Sequence, residues 1–256
     1  MKRRQDMFKQ RDILIVLILV AALAGNTIAY ATTKYSPPRA RCYGFQYSDL
    51  DTRLTAKHGS DELDLVGYDS MYLYDNPAHY AYNNMYQNAI YAFTGHGVTF
   101  SGHPGGVVFW NTYTSSYPKT TYFRSGSGSN TSSQVWLNNL SNSSFSEMLL
   151  AVNAGCYTAY SDSTYGNYTK RMYEKGANTA IGFGDLVLDE YNKKWFETFF
   201  WYVRYNYTFG NASYNAARDT GQLYDPQFGR SDWGGLWSVT LYGSSTAKGT
   251  PARYGI

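Results

Sequence analysis

Ala89-Ile90-Tyr91-Ala92-Phe93-Thr94-Gly95-His96-Gly97 and Met148-Leu149-Leu150-Ala151-Val152-Asn153-Ala154-Gly155-Cys156 decide how this chain folds. Each is a short apolar run without a helical period, and each stops at a residue able to do chemistry. Runs of this kind read as strands buried on both faces. In a sheet of parallel strands, ligands and reactions sit at the carboxyl ends of the strands. A histidine at one strand end and a cysteine at another, brought together by folding, supply an acid/base and a nucleophile.

Outward from these stretches, strands and helices alternate. Cys42 to Ser48 reads as a first strand, and Asp49 as the cap of a helix reaching about Lys57. Leu65 to Leu73 reads as a second strand. Asn76 as cap and Pro77 in the first turn open a helix to about Asn88, and Ala89 to Thr94 is the third strand. Gly102 to Asn111, with Pro104-Gly105-Gly106 and then Val107 to Trp110, predicts a hairpin arm just past His96. Thr112 to Ser133 has no periodicity and holds a Gly/Ser run. It predicts a long loop that is functional or disordered, lying over the site or open to clipping. Val135 to Leu140 predicts a short helical turn, and Met148 to Asn153 the fourth strand.

Further on, a helix from Tyr168 to Lys175 ends at Gly176, and Thr179 to Phe183 is the fifth strand. Tyr191, Trp195, Phe196, Phe199, Phe200 and Val203 recur on one side at helical spacing. That stripe predicts a helix packed into the core, not a cofactor box. Ala212 to Arg218 predicts another short helix, and Leu236 to Tyr242 a sixth strand. The alternation of strands and helices predicts a doubly wound α/β fold.

The N-terminus reads differently. Lys2, Arg3, Arg4, Lys9 and Arg11 precede an apolar run from Ile13 to Ala24, and Ala29-Tyr30-Ala31 fits a small-x-small cleavage site. Residues 1–31 are therefore expected to be a signal peptide, with the exported chain starting near Thr32 and placed outside the cell or on its surface. An uncleaved anchor is the alternative, and the only route by which a membrane enters this reading. Residues 1–31 carry five basic and two acidic side chains, so the whole of the net charge of +3 lies in them. The remainder is neutral, which gives no reason to expect a nucleic acid as partner. The 27 tyrosines, with abundant Ser, Thr and Asn, suit an extracellular surface. Asn-x-Ser/Thr acceptors stand at Asn130, Asn139, Asn142, Asn167, Asn206 and Asn211.

Strand–Gly-His-Gly followed by strand–Ala-Gly-Cys, with Lys175 to Phe183, Trp195 to Trp201 and Ala216-Ala217 downstream, resembles the caspase-like cysteine peptidases. That superfamily includes caspases, gingipains, clostripain, legumain and the CHAT-type peptidases. The resemblance covers roughly residues 42 to 242 and implies one caspase-like domain over residues 32–256. It implies a caspase-like, doubly wound, mostly parallel six-stranded sheet of strand order 2-1-3-4-5-6 with helices on both faces, and cysteine endopeptidase activity on a peptide or protein substrate, without cofactor. His96 matches the family histidine and Cys156 the nucleophile. Gly97 matches the glycine whose backbone N–H, with that of Cys156, makes the oxyanion hole. Asp185, Gly184 and Asn153 are the candidate substrate-binding residues; a carboxylate at Asp185, after the fifth strand, would favour Lys or Arg. The chain departs from the family at Ala154 and Gly155, where many members carry Asp or Gln-Ala. The caspase signature Gln-Ala-Cys-x-Gly is absent, so cleavage after Asp is not implied.

Each of these residues also has a plainer reading. His96 alone reads as a turn histidine, and Asp185 as a turn residue or cap. Asp162, Asp189 and Glu190 read as loop or cap residues, and His58, His79 and His103 as surface residues, His103 being a distant substitute for His96. Four scattered histidines and two cysteines give no metal-ligand spacing. In an exported chain two cysteines often pair. A disulfide-stapled or non-catalytic caspase-like binding or envelope protein is therefore the alternative to the peptidase. Against the disulfide, Cys42 opens the first strand while Cys156 follows the fourth. The implied strand order puts them roughly 19 Å apart, beyond the ~7 Å that a disulfide tolerates.

Overall fold

A continuous apolar run becomes a strand when both its faces find a partner, and three such runs form the middle of this molecule. The structure, a computed structural model, describes residues 36–111, 117–224 and 233–249. The expected signal peptide, its cleavage site and residues 112–116 of the predicted loop lie outside the described residues. In chain order, β1 (Arg39–Gly44) leads to a small hairpin of β2 (Gln46–Tyr47) and β3 (Leu50–Asp51). Then come α1 (Arg53–Leu65), β4 (Asp69–Leu73), α2 (Ala78–Asn84) and β5 (Ile90–Thr94). An arm of β6 (Gly97–Phe100), β7 (His103–Trp110), β8 (Thr120–Arg124) and β9 (Gln134–Trp136) precedes β10 (Leu150–Ala154). α3 (Tyr168–Glu174), β11 (Thr179–Phe183), α4 (Asp189–Arg204), α5 (Phe209–Tyr224) and β12 (Val239–Gly243) follow.

Six strands form the central sheet in the order β4-β1-β5-β10-β11-β12, parallel except for β12. Counted along the chain, that is the order 2-1-3-4-5-6. Every residue of β5, β10 and β11 is buried. Strand alternation sorts them between two cores. Ile90, Ala92, Leu150, Val152, Ala154, Ile181 and Phe183 join α1, α4 and α5 on one face. Tyr91, Phe93, Ala151 and Ala180 join residues of α2, α3 and the arm on the other. The expected aromatic helix is α4. Tyr191, Trp195, Phe196, Phe199, Phe200 and Val203 are all buried, with Trp195 stacked on Phe199 at 5.2 Å and edge-on to Phe183 at 5.0 Å.

Several boundaries differ from the sequence reading, each for a physical reason. The first helix starts at Arg53, not at Asp49, because the chain first turns through the β2–β3 hairpin, with Ser48 at φ 57°. Asp51, rather than Asp49, accepts the Arg53 N–H at 3.1 Å. That helix runs on to Leu65, so the second strand of the sheet begins only at Asp69, after Gly67 at φ 94°. Pro77, not Asn76, is the N-cap of α2. The second face is covered by the four-stranded sheet β6-β7-β8-β9 as well as by helices. β8 runs through the stretch expected to be a loop, burying Thr121 and Phe123. The Gly/Ser run after it is tied down where Ser125 Oγ donates to Tyr165 O at 2.9 Å. Val135 and Trp136 are strand, and only Leu137–Asn139 turns helically. α5 extends well past both ends of the short helix expected there. The sixth strand starts at Val239, behind a 3₁₀ turn Trp233–Ser238. No helix among the described residues is long and apolar enough to cross a membrane.

The two-core arrangement makes Phe199 and Trp201 an informative pair. Phe199 is fully buried, whereas Trp201, two residues on in the same helix, is 42% exposed. Phe199→Ala is expected to destabilise the fold by about 3–5 kcal/mol. Trp201→Ala should cost about 0.5 kcal/mol or less. Urea unfolding of both variants checks this, and equal losses would contradict the packing described.

Candidate active site

β5 and β10 are neighbours in register, Thr94 opposite Ala154, so the segments that leave them emerge side by side at one sheet edge. The Gly95 N–H donates to Ala154 O at 3.0 Å, carrying the ladder one step past the strands. Beyond that point the backbones touch. A Cβ on Gly97 would lie 1.7 Å from Cys156 O. One on Gly155 would lie 2.8 Å from Gly95 O and 2.9 Å from Gly97 N. No side chain fits at either position. His96 and Cys156 are thereby brought to adjacent strand ends, as the sequence reading expected, and both line one cavity of about 380 Å³ with Leu186 to Tyr191.

The His96 carbonyl accepts the Val108 N–H at 3.2 Å, which fixes its backbone to the arm. Its ring stands edge-on to Tyr47 at 5.8 Å, and Trp110 braces Tyr47 at 5.4 Å. His96 Nε2 is buried and has no hydrogen-bond partner among the described residues. The Cys156 sulfur is held instead by the main chain of Val187, 3.5 Å from both its N and its O. Burial pushes the Cys156 thiol above the ordinary thiol range. The Val187 amide opposes that shift, while the carboxylates of Asp189 and Asp185 add to it. The turn after Cys156 is tight. Tyr157 sits at φ 59°, its N–H donates to Asp185 O at 3.1 Å, and Thr158 Oγ1 lies 2.7 Å from Asn153 O. A second cavity of about 420 Å³ adjoins His96 and Gly97, with Tyr47, Asp49 and Tyr122 on its walls.

The other expected residues are placed as follows. Asp185 is exposed and accepts the Leu186 N–H at 2.7 Å. It lines a third cavity of about 550 Å³ with Leu186, Leu188, Gly234, Gly235 and Trp237. It is close enough to raise the Cys156 thiol but outside the cavities that His96 lines. Gly184 is engaged in the sheet margin, its N–H donating to Ser238 O at 2.8 Å. Asn153 does not belong to the site. It is fully buried, and its Nδ2 lies 3.3 Å from Thr169 Oγ1 and 3.5 Å from Met172 Sδ. Alternation along β10 turns it to the α3 face, while Val152 and Ala154 face α4.

Four contributors were not recognised in the sequence: Tyr47, Val187, Asp189 and Asn192. Asn192 of α4 donates to Ala154 O at 3.0 Å and so anchors the end of the cysteine strand. Asp189, read as a cap, stands in the first turn of α4, where an anion is favoured, and lines the cysteine cavity.

Cys42 and Cys156 are both free thiols. Cys42 lies in the middle of β1, not at its start, level with Ala92 and through it with Val152. Two strand spacings of ~4.8 Å and four residues at ~3.3 Å still separate it from Cys156 by roughly 16 Å. Among the described residues no group of three His, Cys, Asp or Glu side chains could hold a metal ion. Compared with protein-family models and with curated proteins, the chain finds no match.

A raised thiol pKa gives less thiolate at neutral pH, so alkylation should be slow there and should rise at higher pH than for a free cysteine, whose pKa is ~8.5. Asp189→Asn removes a negative charge beside the sulfur and is expected to move the midpoint down. The pH profile of iodoacetamide labelling at Cys156, read by peptide mass mapping, checks both. A wild-type midpoint at or below that of free cysteine would contradict the geometry.

Proposed function

We propose that this chain is an exported, caspase-like cysteine endopeptidase that cleaves polypeptides through an acyl-enzyme on Cys156. The observation that carries the proposal is the side-chain-free junction of Gly95-His96-Gly97 with Gly155-Cys156 at adjacent strand ends. In the resting state the thiol is protonated and held by Val187, and His96 Nε2 has no partner among the described residues. The sulfur therefore gains its nucleophilicity when His96 takes its proton as the scissile carbonyl arrives. The thiolate attacks that carbonyl, and the oxyanion is met by the N–H groups of Gly97 and Cys156. His96 then protonates the departing amine, and the acyl group is hydrolysed by water that His96 activates. Burial of the dyad between apolar walls strengthens each of these charge interactions.

The surroundings favour a basic substrate side chain. Among the described residues, the ionisable groups lining the three adjoining cavities, apart from the dyad and tyrosines, are the carboxylates of Asp49, Asp185, Asp189 and Glu190, with no Lys or Arg. A Lys or Arg beside the scissile bond would meet one or more of these carboxylates in a charge-assisted hydrogen bond. Asp49 lines the same cavity as His96 and Gly97, so it joins Asp185 as a specificity candidate.

Cys156→Ala is expected to reduce peptide hydrolysis by ~10⁴-fold or more, and Gly97→Ala by at least ~10²-fold. His96→Ala should come close to the cysteine variant, with circular dichroism unchanged for both dyad substitutions. A positional-scanning peptide assay on wild type, Asp49→Asn and Asp185→Asn reads the specificity. Full activity in Cys156→Ala would overturn the peptidase reading. Unchanged preference in both Asp variants would overturn the basic-residue assignment.

A further inference from the structure

A cavity of about 590 Å³ lies between the β6–β7 turn, at Gly102, His103 and Pro104, and the loop that leaves Cys156 through Tyr157 and Tyr160 to Asp162. Thr99 lines both this cavity and the one beside His96, so the two adjoin. Its volume is that of a site for a side chain or small ligand. Its floor is built. The Asp162 side chain is largely buried, and its Oδ1 accepts the N–H groups of Thr164 at 2.7 Å and Tyr165 at 2.9 Å. Its Oδ2 lies 2.9 Å from His103 Nδ1. Burial raises the Asp162 carboxyl, but the bonds from Tyr165, His103 and Thr164 outweigh it and hold the group below the usual carboxylate range.

An ionised Asp162 takes a hydrogen from Nδ1, so in the neutral imidazole Nε2 is the acceptor. Nε2 has no partner among the described residues, while the His103 side chain is 45% exposed. Tyr157 and Tyr160 meet edge to face at 6.0 Å and form aromatic walls. Among the described residues, Asp162 is the only carboxylate on the lining, and no Lys or Arg lines it. The Arg124 guanidinium is held over Phe100, Trp136 and Tyr165, at 3.6, 4.2 and 4.7 Å.

We propose that this cavity is a second recognition site, which takes the ammonium or guanidinium of a basic side chain on a polypeptide lying across the neighbouring dyad. The cation is held by His103 Nε2, by the charge of Asp162 behind it, and by the faces of Tyr157 and Tyr160. The role as part of a substrate groove rests on the peptidase reading; the binding chemistry does not. It makes recognition bipartite, with one basic residue near Asp49 and another at His103.

The test uses the full chain carrying Cys156→Ala, so that binding is read without turnover. The probes are two terminally blocked pentapeptides, Ala-Ala-Lys-Ala-Ala and the same peptide with norleucine for lysine, titrated while the His103 imidazole resonances are followed. The lysine peptide should shift those resonances and bind roughly tenfold tighter than the norleucine peptide, about one charge-assisted hydrogen bond. His103→Gln and, separately, Asp162→Asn should each cut the lysine preference at least about threefold, whereas Asp49→Asn should leave the His103 shift in place. Equal binding of the two peptides overturns the proposal, as does a lysine preference that disappears only in Asp49→Asn. Lysine-selective shifts at His103 in a chain whose unmutated form hydrolyses nothing support this site and overturn the peptidase reading alone.

Discussion

Two lengths of backbone press against each other at the end of the central sheet with no side chain between them, and the placement of His96 and Cys156 depends on that contact. Gly97 has no room for a methyl group against the Cys156 carbonyl, and Gly155 none against Gly95 and Gly97. A contact of this kind requires β5 and β10 to be neighbours and in register. That in turn requires both faces of the sheet to be covered, since every residue of the two strands is buried. The aromatic stripe of α4 and the arm β6–β9 are thus conditions for the site as much as for stability. α4 serves twice: its interior rings fill one core, while Asn192 binds Ala154 O and Asp189 borders the sulfur.

The middle of the sheet was legible because continuous apolar runs ending in glycine have few other uses. Thr179–Phe183 matches its reading, and Ile90–Thr94 and Leu150–Ala154 depart from theirs by one or two residues. β8 was not legible. Its alternation of Thr121 and Phe123 with Thr120 and Tyr122 spans too few residues to stand out beside a Gly/Ser run. The β2–β3 hairpin was hidden because its turn uses Ser48 in the left-handed region, where glycine or asparagine would have announced it. Asp49 was therefore given to a helix that starts only at Arg53.

Within the site, the parts legible in sequence are those set by topology, and the parts missed are those set by long-range pairing. His96 and Cys156 stand at strand ends, so strand order alone brings them together. Tyr47 reaches His96, and Val187 reaches Cys156, through contacts that leave no local pattern. Asn153 shows the opposite error: nearness in sequence to Cys156 suggested a role that strand alternation forbids, since its side chain faces Thr169 and Met172. Asp162 and His103 read separately as loop residues, and only the fold of the arm makes them a pair.

The electrostatics around Cys156 join these pieces under the proposed activity. Burial pushes the Cys156 thiol up, with Asp189 and Asp185 adding to the shift, and this by itself opposes catalysis. The same carboxylates are the groups that would attract a basic substrate. At an effective dielectric constant of ~20, two unit charges ~8 Å apart interact by ~2 kcal/mol, more than one pKa unit. A bound Lys or Arg would offset a carboxylate's effect on the thiol by an amount of that order. Substrate entry would also place a carbonyl and an amide within reach of His96 Nε2, which is buried without a partner among the described residues. The basic side chain would then act on chemistry as well as on affinity. It would lower the cost of forming the thiolate only in the complex where the thiolate has a carbonyl to attack, while the free protein keeps an unreactive thiol.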